Sequence, residues 1–198
     1  MKRIGGDNTF GQVAFLEPKC YFFVTFPQFS SYMNFYYLLL ALYSIIKSMK
    51  KIISLGLILL GILADQLLKA WTVANIPLGG EKEFIPGILS LTYLRNEGAA
   101  WSILEGKQWF FLILTPIVII AALYFLNKKI NQNWYFAALT LIISGALGNF
   151  IDRVRQSFVV DMFQTDFINF PIFNIADILL SIGFVVLFIA IILDKEVE

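Results

Sequence analysis

Ile52–Trp71 reads IISLGLILLGILADQLLKAW, an apolar run broken by one acid, Asp65, and one base, Lys69. A bilayer core needs about 20 mostly apolar residues in a helix, so this stretch predicts a membrane span. At 1.5 Å per residue Asp65 lies roughly 20 Å along it. An ionisable group at membrane depth costs at least about 2.5–3.5 kcal/mol, and so marks either a functional site or a tightly paired structural one.

Working outward, the same length rule finds three more spans. Trp109–Leu126 ends at Asn127, Lys128 and Lys129; Trp134–Ile151 opens on a Trp-Tyr pair of the kind that seats at a membrane interface; Ile175–Leu193 is the last. The expected fold is an all-α membrane protein of four transmembrane helices. Between the first two spans, residues 72–108 contain Pro77, Gly79, Gly80, Pro86 and Gly87 and read as a structured loop. Leu89, Leu91 and Tyr93 alternate with Ser90, Thr92 and Leu94, which predicts a strand at the membrane surface. Residues 152–173 form a second extramembrane stretch.

Residues 1–48 do not fit this plan. The run 32–46 is apolar and aromatic but short for a span, whereas Met49-Lys50-Lys51 before an apolar helix resembles a natural membrane-protein start. We therefore expect residues 1–48 to be an extension without catalytic role, consistent with a gene start placed too early, and residues 49–198 to be the working domain. The alternative is an interfacial or fifth helix.

Composition agrees. Of 198 residues 59% are hydrophobic and 15% charged, against about 25% charged in a soluble domain. A net charge of +1 gives no footprint for nucleic acid. Cys20 stands alone and forms no internal disulfide. There is no histidine, which removes Ser-His-Asp and Cys-His nucleophiles and HExxH zinc sites together. Chemistry is left to carboxylates, a Ser-Lys pair or backbone, with no metal and no cofactor expected.

Four antiparallel spans bring the acids together. Asp65 lies in the outer part of span one, Asp152 closes span three, Asp177 opens span four and Asp161 lies in the loop between them, so all four meet at one membrane face. Asn149 and Asp152 are i,i+3 neighbours, as are Asn174 and Asp177. Each acid has a plainer reading: Asp65 and Asp152 as partners of Lys69 and Arg153 or as helix caps, Asp161 as a solvated loop acid, Asp177 as an anion in a first helical turn.

The ordered motifs Asp65-Gln66-x-x-Lys69, Asn96-Glu97-Gly98-Ala99-Ala100-Trp101-Ser102, Gly148-Asn149-x-x-Asp152-Arg153, Val159-Val160-Asp161 and Phe173-Asn174-x-Ala176-Asp177 closely resemble bacterial lipoprotein signal peptidase, signal peptidase II, over residues 49–194. The resemblance implies an aspartic endopeptidase whose dyad falls on Asp161 and Asp177, with Asp65, Asn96, Gly98, Asn149, Asp152, Arg153 and Asn174 binding substrate or supporting the site. It implies as substrates prolipoproteins whose cysteine carries a diacylglyceryl group, cut just before that cysteine and reached among membrane lipids. A monomer is expected, although the sequence itself does not decide the oligomeric state. Met162 stands where the family has phenylalanine, and Glu97 has no assigned role.

The resemblance also implies a multi-pass protein of the bacterial plasma membrane, its active site and small β-containing segment extracytoplasmic. Lys50, Lys51, Lys128, Lys129 and Lys195 flank the opposite, cytoplasmic side, although Lys82, Arg95, Lys107, Arg153 and Arg155 lie on the acid side. The rivals are an ion-coupled carrier, which predicts a polar path across the bilayer; an inactive scaffold, which leaves the clustered amides unexplained; and a Ser-Lys hydrolase using Ser102 with Lys107 or Lys69.

Overall fold

The structure, a computed structural model, describes residues 27–98 and 103–195. Its elements are α1 (Pro27–Asn75), β1 (Glu81–Ile85), β2 (Leu89–Asn96), α2 (Gln108–Lys129), α3 (Asn133–Gln156), β3 (Val159–Thr165) and α4 (Ile175–Lys195). Contacts divide the chain into two units, Met1–Ala41 and Leu42–Glu198. Of the first, the opening of α1 is described; all that follows concerns the second.

Four helices are long and apolar enough to cross a membrane. Their outward faces carry residues such as Leu60, Ile120 and Phe188, each more than 60% exposed, a pattern that only a lipid solvent tolerates over so much surface. The first helix differs from the expected span: it begins at Pro27 rather than near Ile52. Met49-Lys50-Lys51 supplies charge but no helix breaker, and lysine propagates a helix well, so the helix of the first span does not start there.

α3 is the hub. Of its span 56% is buried, against 17% for each of the others, and it packs against both α2 and α4. Small side chains permit this: a Cβ on Gly145 would strike the Ala176 carbonyl and sit 2.9 Å from Leu180 Cγ, and one on Gly183 would come within 2.7 Å of Ile142. Polar contacts between the helices include Ser54 with Thr140 at 2.8 Å and Ser144 Oγ donating to the Ile58 carbonyl at 3.2 Å, pairings expected where no water competes. At one end Lys50 Nζ donates to Asn133 Oδ1 at 2.9 Å and Lys129 pairs with Asp194 at 2.7 Å. Asp65 is fifteen residues further along α1 than Lys50, roughly 22 Å by helical rise.

Outside the bundle the strands form an antiparallel sheet in the order β1-β2-β3. Two strands beyond the expected one thus appear, and Asp161 lies on β3 rather than in a loop. The expected alternation along β2 is not observed, because Ser90, Leu91, Thr92 and Tyr93 are all buried. Ser90 donates to Asp166 and Thr92 to the Gly80 carbonyl, so the middle of β2 is covered on both faces, and a register irregularity falls between Leu91 and Leu94. Ile76, Leu91, Tyr93, Val160 and Met162 form the core beneath it. Met162 is wholly buried there, a volume-filling role its flexible thioether suits. Ser157, in the left-handed conformation at φ 65°, ends α3 and returns the chain to β3 within two residues.

Gly145→Ala is expected to lower the unfolding midpoint in detergent, an overpacking penalty of about 1–3 kcal/mol exceeding the roughly 1 kcal/mol of helix propensity gained. Gly56→Ala, with nothing within 4 Å of the added carbon, should leave the midpoint unchanged or raise it. Equal behaviour of the two variants in a thermal melt would contradict this packing account.

Candidate active site

The site begins at the amino end of α4. Asn174 precedes the helix; its Oδ1 accepts from the Asp177 backbone N–H at 2.9 Å, and Asp177 Oδ2 accepts from the Asn174 backbone N–H at 3.1 Å. This is a reciprocal capping box, so the Asn174-x-x-Asp177 spacing has a local structural cause. It also leaves the Asn174 Nδ2 group free to reach outward, and fixes which way that amide points.

Nδ2 of Asn174 donates to Asp161 Oδ1 at 2.7 Å and to Asn149 Oδ1 at 3.1 Å. The other Asp161 oxygen accepts from Asn96 Nδ2 at 2.8 Å, and Asn96 is held in turn by the Gly98 N–H on its Oδ1 at 2.9 Å. Asn96 pairs with Val159 across the ladder, so it is a diagonal neighbour of Asp161 on the same face of the sheet. Asp177 Oδ1 accepts from Asn149 Nδ2 at 2.8 Å. Each carboxylate therefore receives two N–H donors, and one amide, Asn174, bonds both residues.

Asp161 is 1% exposed. Burial first, and then the charge of nearby Asp177, push its carboxyl from the ordinary 3.8 up to about 7, against the lowering influence of the Asn96 and Asn174 amides and of Lys69. Removal from water and a like charge both disfavour a second anion.

Behind this pair lies a buried ion cluster. Lys69 Nζ stands 2.8 Å from Asp65 Oδ2, 2.9 Å from Asp152 Oδ2 and 3.0 Å from Asn149 Oδ1. Gln66 Nε2 bridges the same two acids, at 3.2 Å from Asp65 and 2.9 Å from Asp152. The remaining acceptor capacity goes to backbone: Asp65 Oδ1 takes the Ala176 N–H at 3.0 Å and Asp152 Oδ2 the Val160 N–H at 3.2 Å. Gly148 makes room for this, since a Cβ there would lie 2.8 Å from Asp65 Oδ2.

In front, a cavity of about 660 Å³ reaches both Asp161 and Asp177. Its walls are largely apolar, with Phe111, Leu114 and Val118 from α2 and Ile182 and Phe184 from α4. Arg153 also lines it, with its guanidinium 4.4 Å from the centre of the Phe111 ring and Nη2 donating to the Gly98 carbonyl at 2.9 Å. Among the described residues its buried Nε has no partner. A carboxyl pair facing an apolar, membrane-level cleft is an arrangement for acid-base work on a substrate that is itself partly lipid-soluble.

Residues 57–193 match the family model for signal peptidase (SPase) II. The chain belongs to the signal peptidase II family. A lipoprotein signal peptidase of Lactococcus lactis subsp. cremoris (strain SK11) is 71% identical over 150 residues, 76% of this chain and all of the relative. One from Enterococcus faecalis (strain ATCC 700802 / V583) is 56% identical over 133 residues, 67% of this chain and 83% of its own. Two solved structures described as bacterial membrane enzymes align at TM-scores of 0.69 and 0.65 with 41% and 42% identity, covering 73% and 70% of this chain and 90% and 91% of theirs. The chain is thus a membrane peptidase of an aspartic-type family, and carrier and scaffold readings fall away.

All nine residues singled out in the sequence lie in one connected network in this signal peptidase II. One pairing differs from expectation: Asp152 bonds Lys69 and Gln66, not Arg153, because adjacent helical residues point about 100° apart. Gln66 was visible only as part of a motif and Lys69 as an i,i+4 partner of Asp65; their shared contact with Asp152 needed the packed α1 and α3. Ala99, Ala100, Trp101 and Ser102 lie outside the described residues, as do Cys20 and residues 1–26. Lys69, the other half of one Ser-Lys reading, is committed to two carboxylates.

The raised Asp161 carboxyl has a sign that can be measured. Between about pH 4 and 7 the folded protein keeps a proton that the unfolded chain has released, so its contribution favours the fold at low pH and is lost as pH rises through 7. The stability difference between Asp161→Asn and the parent should therefore move in the variant's favour over that window, by on the order of 2–4 kcal/mol. Thermal melts across pH 4–8 check it, and a flat difference would contradict it.

Proposed function

We propose that this signal peptidase II cuts the signal peptide from diacylglyceryl-modified prolipoproteins, just before the lipid-bearing cysteine, with Asp161 and Asp177 as its catalytic pair. The observation that carries this is geometric: carboxylates from a strand and a helix, bonded to a common asparagine, open on one membrane-level cavity.

Two such acids hold one proton between them. The ionised partner draws a proton from water as the oxygen attacks the scissile carbonyl, and the protonated partner gives its proton to the carbonyl oxygen. A neutral tetrahedral diol results, with no covalent enzyme species. Collapse breaks the C–N bond; the proton taken from water passes to the leaving amine, and one diol hydroxyl proton returns to the other carboxyl. The pair ends as it began. Arg153, with donors at the cavity wall, suits a carbonyl of the substrate, and the apolar walls suit its signal helix and acyl chains.

The outer face of the bacterial plasma membrane is the side we assign to the acids, supported by the lysine-rich opposite end with Lys50, Lys51, Lys128 and Lys129. We take a monomer as the working state, a reading that needs no second copy because Asp161, Asp177 and the amides bonded to them meet within one chain. Residues 1–48 take no catalytic part in this reading, which is supported by the span of the site, from Asp65 to Phe184.

Asp161→Asn and Asp177→Asn should each lower cleavage of a lipid-modified precursor in detergent by about 10²–10⁴-fold while remaining folded. Near-parental turnover by either variant would sink the assigned pair.

A further inference from the structure

The three amides around the carboxyl pair are oriented by groups that can only donate. Gly98 N–H fixes Asn96 and Asp177 N–H fixes Asn174, both from nearby backbone. Asn149 is different: its Oδ1 receives the Lys69 ammonium at 3.0 Å, from another helix, and Asn174 Nδ2 at 3.1 Å. Neither an ammonium nor an amide NH₂ has acceptor capacity, so the two contacts together turn the Asn149 NH₂ toward Asp177, and the Lys69 contact alone brings a full charge to it. Lys69 already has two carboxylates at 2.8 and 2.9 Å; neutralising those acids does not require the third bond.

We infer that Lys69 is a positioning residue for peptide cleavage: by fixing and polarising the Asn149 amide it makes Asp177 the carboxylate that begins the cycle ionised, leaving the shared proton on Asp161. The inference rests on the Asp161 and Asp177 pair proposed above. Both acids receive two donors, so the number of bonds does not distinguish them. Three features do. The Asn149 amide that serves Asp177 is bonded to a cation, which strengthens its N–H as a donor. Asp177 also sits in the first turn of α4, where the helix dipole favours an anion, whereas Asp161 lies on a strand. Finally Asp177 is half-buried and Asp161 is 1% exposed, so water solvates charge better on Asp177.

The other charged groups facing the pair do not replace Lys69. Asp65 from α1 and Asp152 from α3 are anions bonded to it. Arg153 from α3 stands at the cavity wall beside both acids, without a bond to either. Water therefore gives its proton to Asp177, and Asp161 protonates the scissile carbonyl oxygen.

The test is the pH dependence of turnover by the full-length protein in detergent, using a synthetic diacylglyceryl-modified precursor peptide. In Lys69→Met, kcat should fall about tenfold with KM within about twofold, and the acid limb of kcat should move up by about one pH unit, the size of effect that one nearby opposite charge has on a carboxylate. Lys69→Arg, which keeps charge and donors, should return the limb toward its parental position. A purely structural lysine would lower the folded fraction and leave the limb where it was, and that result in folded Lys69→Met overturns the inference. Should Lys69→Met fail to fold, Lys69→Met/Asp152→Asn keeps the cluster's net charge and is expected to show the same displaced limb; an unmoved limb there overturns the inference equally. An unmoved limb with inactive Asp161→Asn and Asp177→Asn overturns the role of Lys69 alone, whereas retained cleavage in either aspartate variant overturns the pair and the inference with it.

Discussion

A single ammonium group, that of Lys69, holds apart and together the pieces on which the site depends. It sits among Asp65 and Asp152 at under 3 Å from each, and those acids in turn receive backbone N–H groups from α4 and β3. Segments of α1, α3, β3 and α4 are thereby tied at one level of the bundle. Buried ion pairs are poor sources of stability, because desolvation offsets much of the attraction. Their geometry is exacting, however, and a cluster with few unused donors or acceptors tolerates few alternative arrangements. What the cluster supplies is location: it brings the first turn of α4 and the middle of β3 to the positions from which Asp177 and Asp161 meet.

Much of this was legible in the sequence, for identifiable reasons. Apolar length reports membrane spans directly, since the bilayer fixes how much chain must be greasy, and α2, α3 and α4 begin within one residue of the expected positions. The motifs brought the amides and acids to one face because antiparallel connection is forced by four spans. What stayed hidden was anything set by packing between elements. β1 is too polar, with Glu81, Lys82 and Glu83, to read as a strand, and β3 is ambiguous by periodicity because both of its faces are covered. α1 starts well before Ile52 because a pair of lysines marks a membrane edge without ending a helix. Lys69 looked like a simple i,i+4 partner of Asp65; its bonds to Asp152 and Asn149 depend on Gly148 lacking a side chain at the crossing of α1 and α3.

The absence of histidine shapes the chemistry as much as the presence of aspartate. With no imidazole, each proton position must be set by carboxyl groups whose ordinary range lies far below neutral. Burial and mutual repulsion lift Asp161 toward 7, while asparagines supply donors that carry no charge of their own. Neutral donors are well suited to a site beside lipid: they stabilise one anion without requiring a second buried cation at the reacting centre. Of the nearest full positive charges, Lys69 stands behind the pair, bonded to Asp65, Asp152 and Asn149, and Arg153 stands at the cavity wall.

Only two residues separate the end of α3 from the start of β3, and Ser157 makes that junction in a left-handed turn that donates back to the Arg153 carbonyl. So short a tether couples the strand rigidly to the most buried helix. Membranes swell, thin and bend, and a peptidase embedded in them is squeezed along its axis. Here a change of bilayer thickness would shift how deep the cleft rides in the lipid, while Asp161 on β3 kept its place against α3.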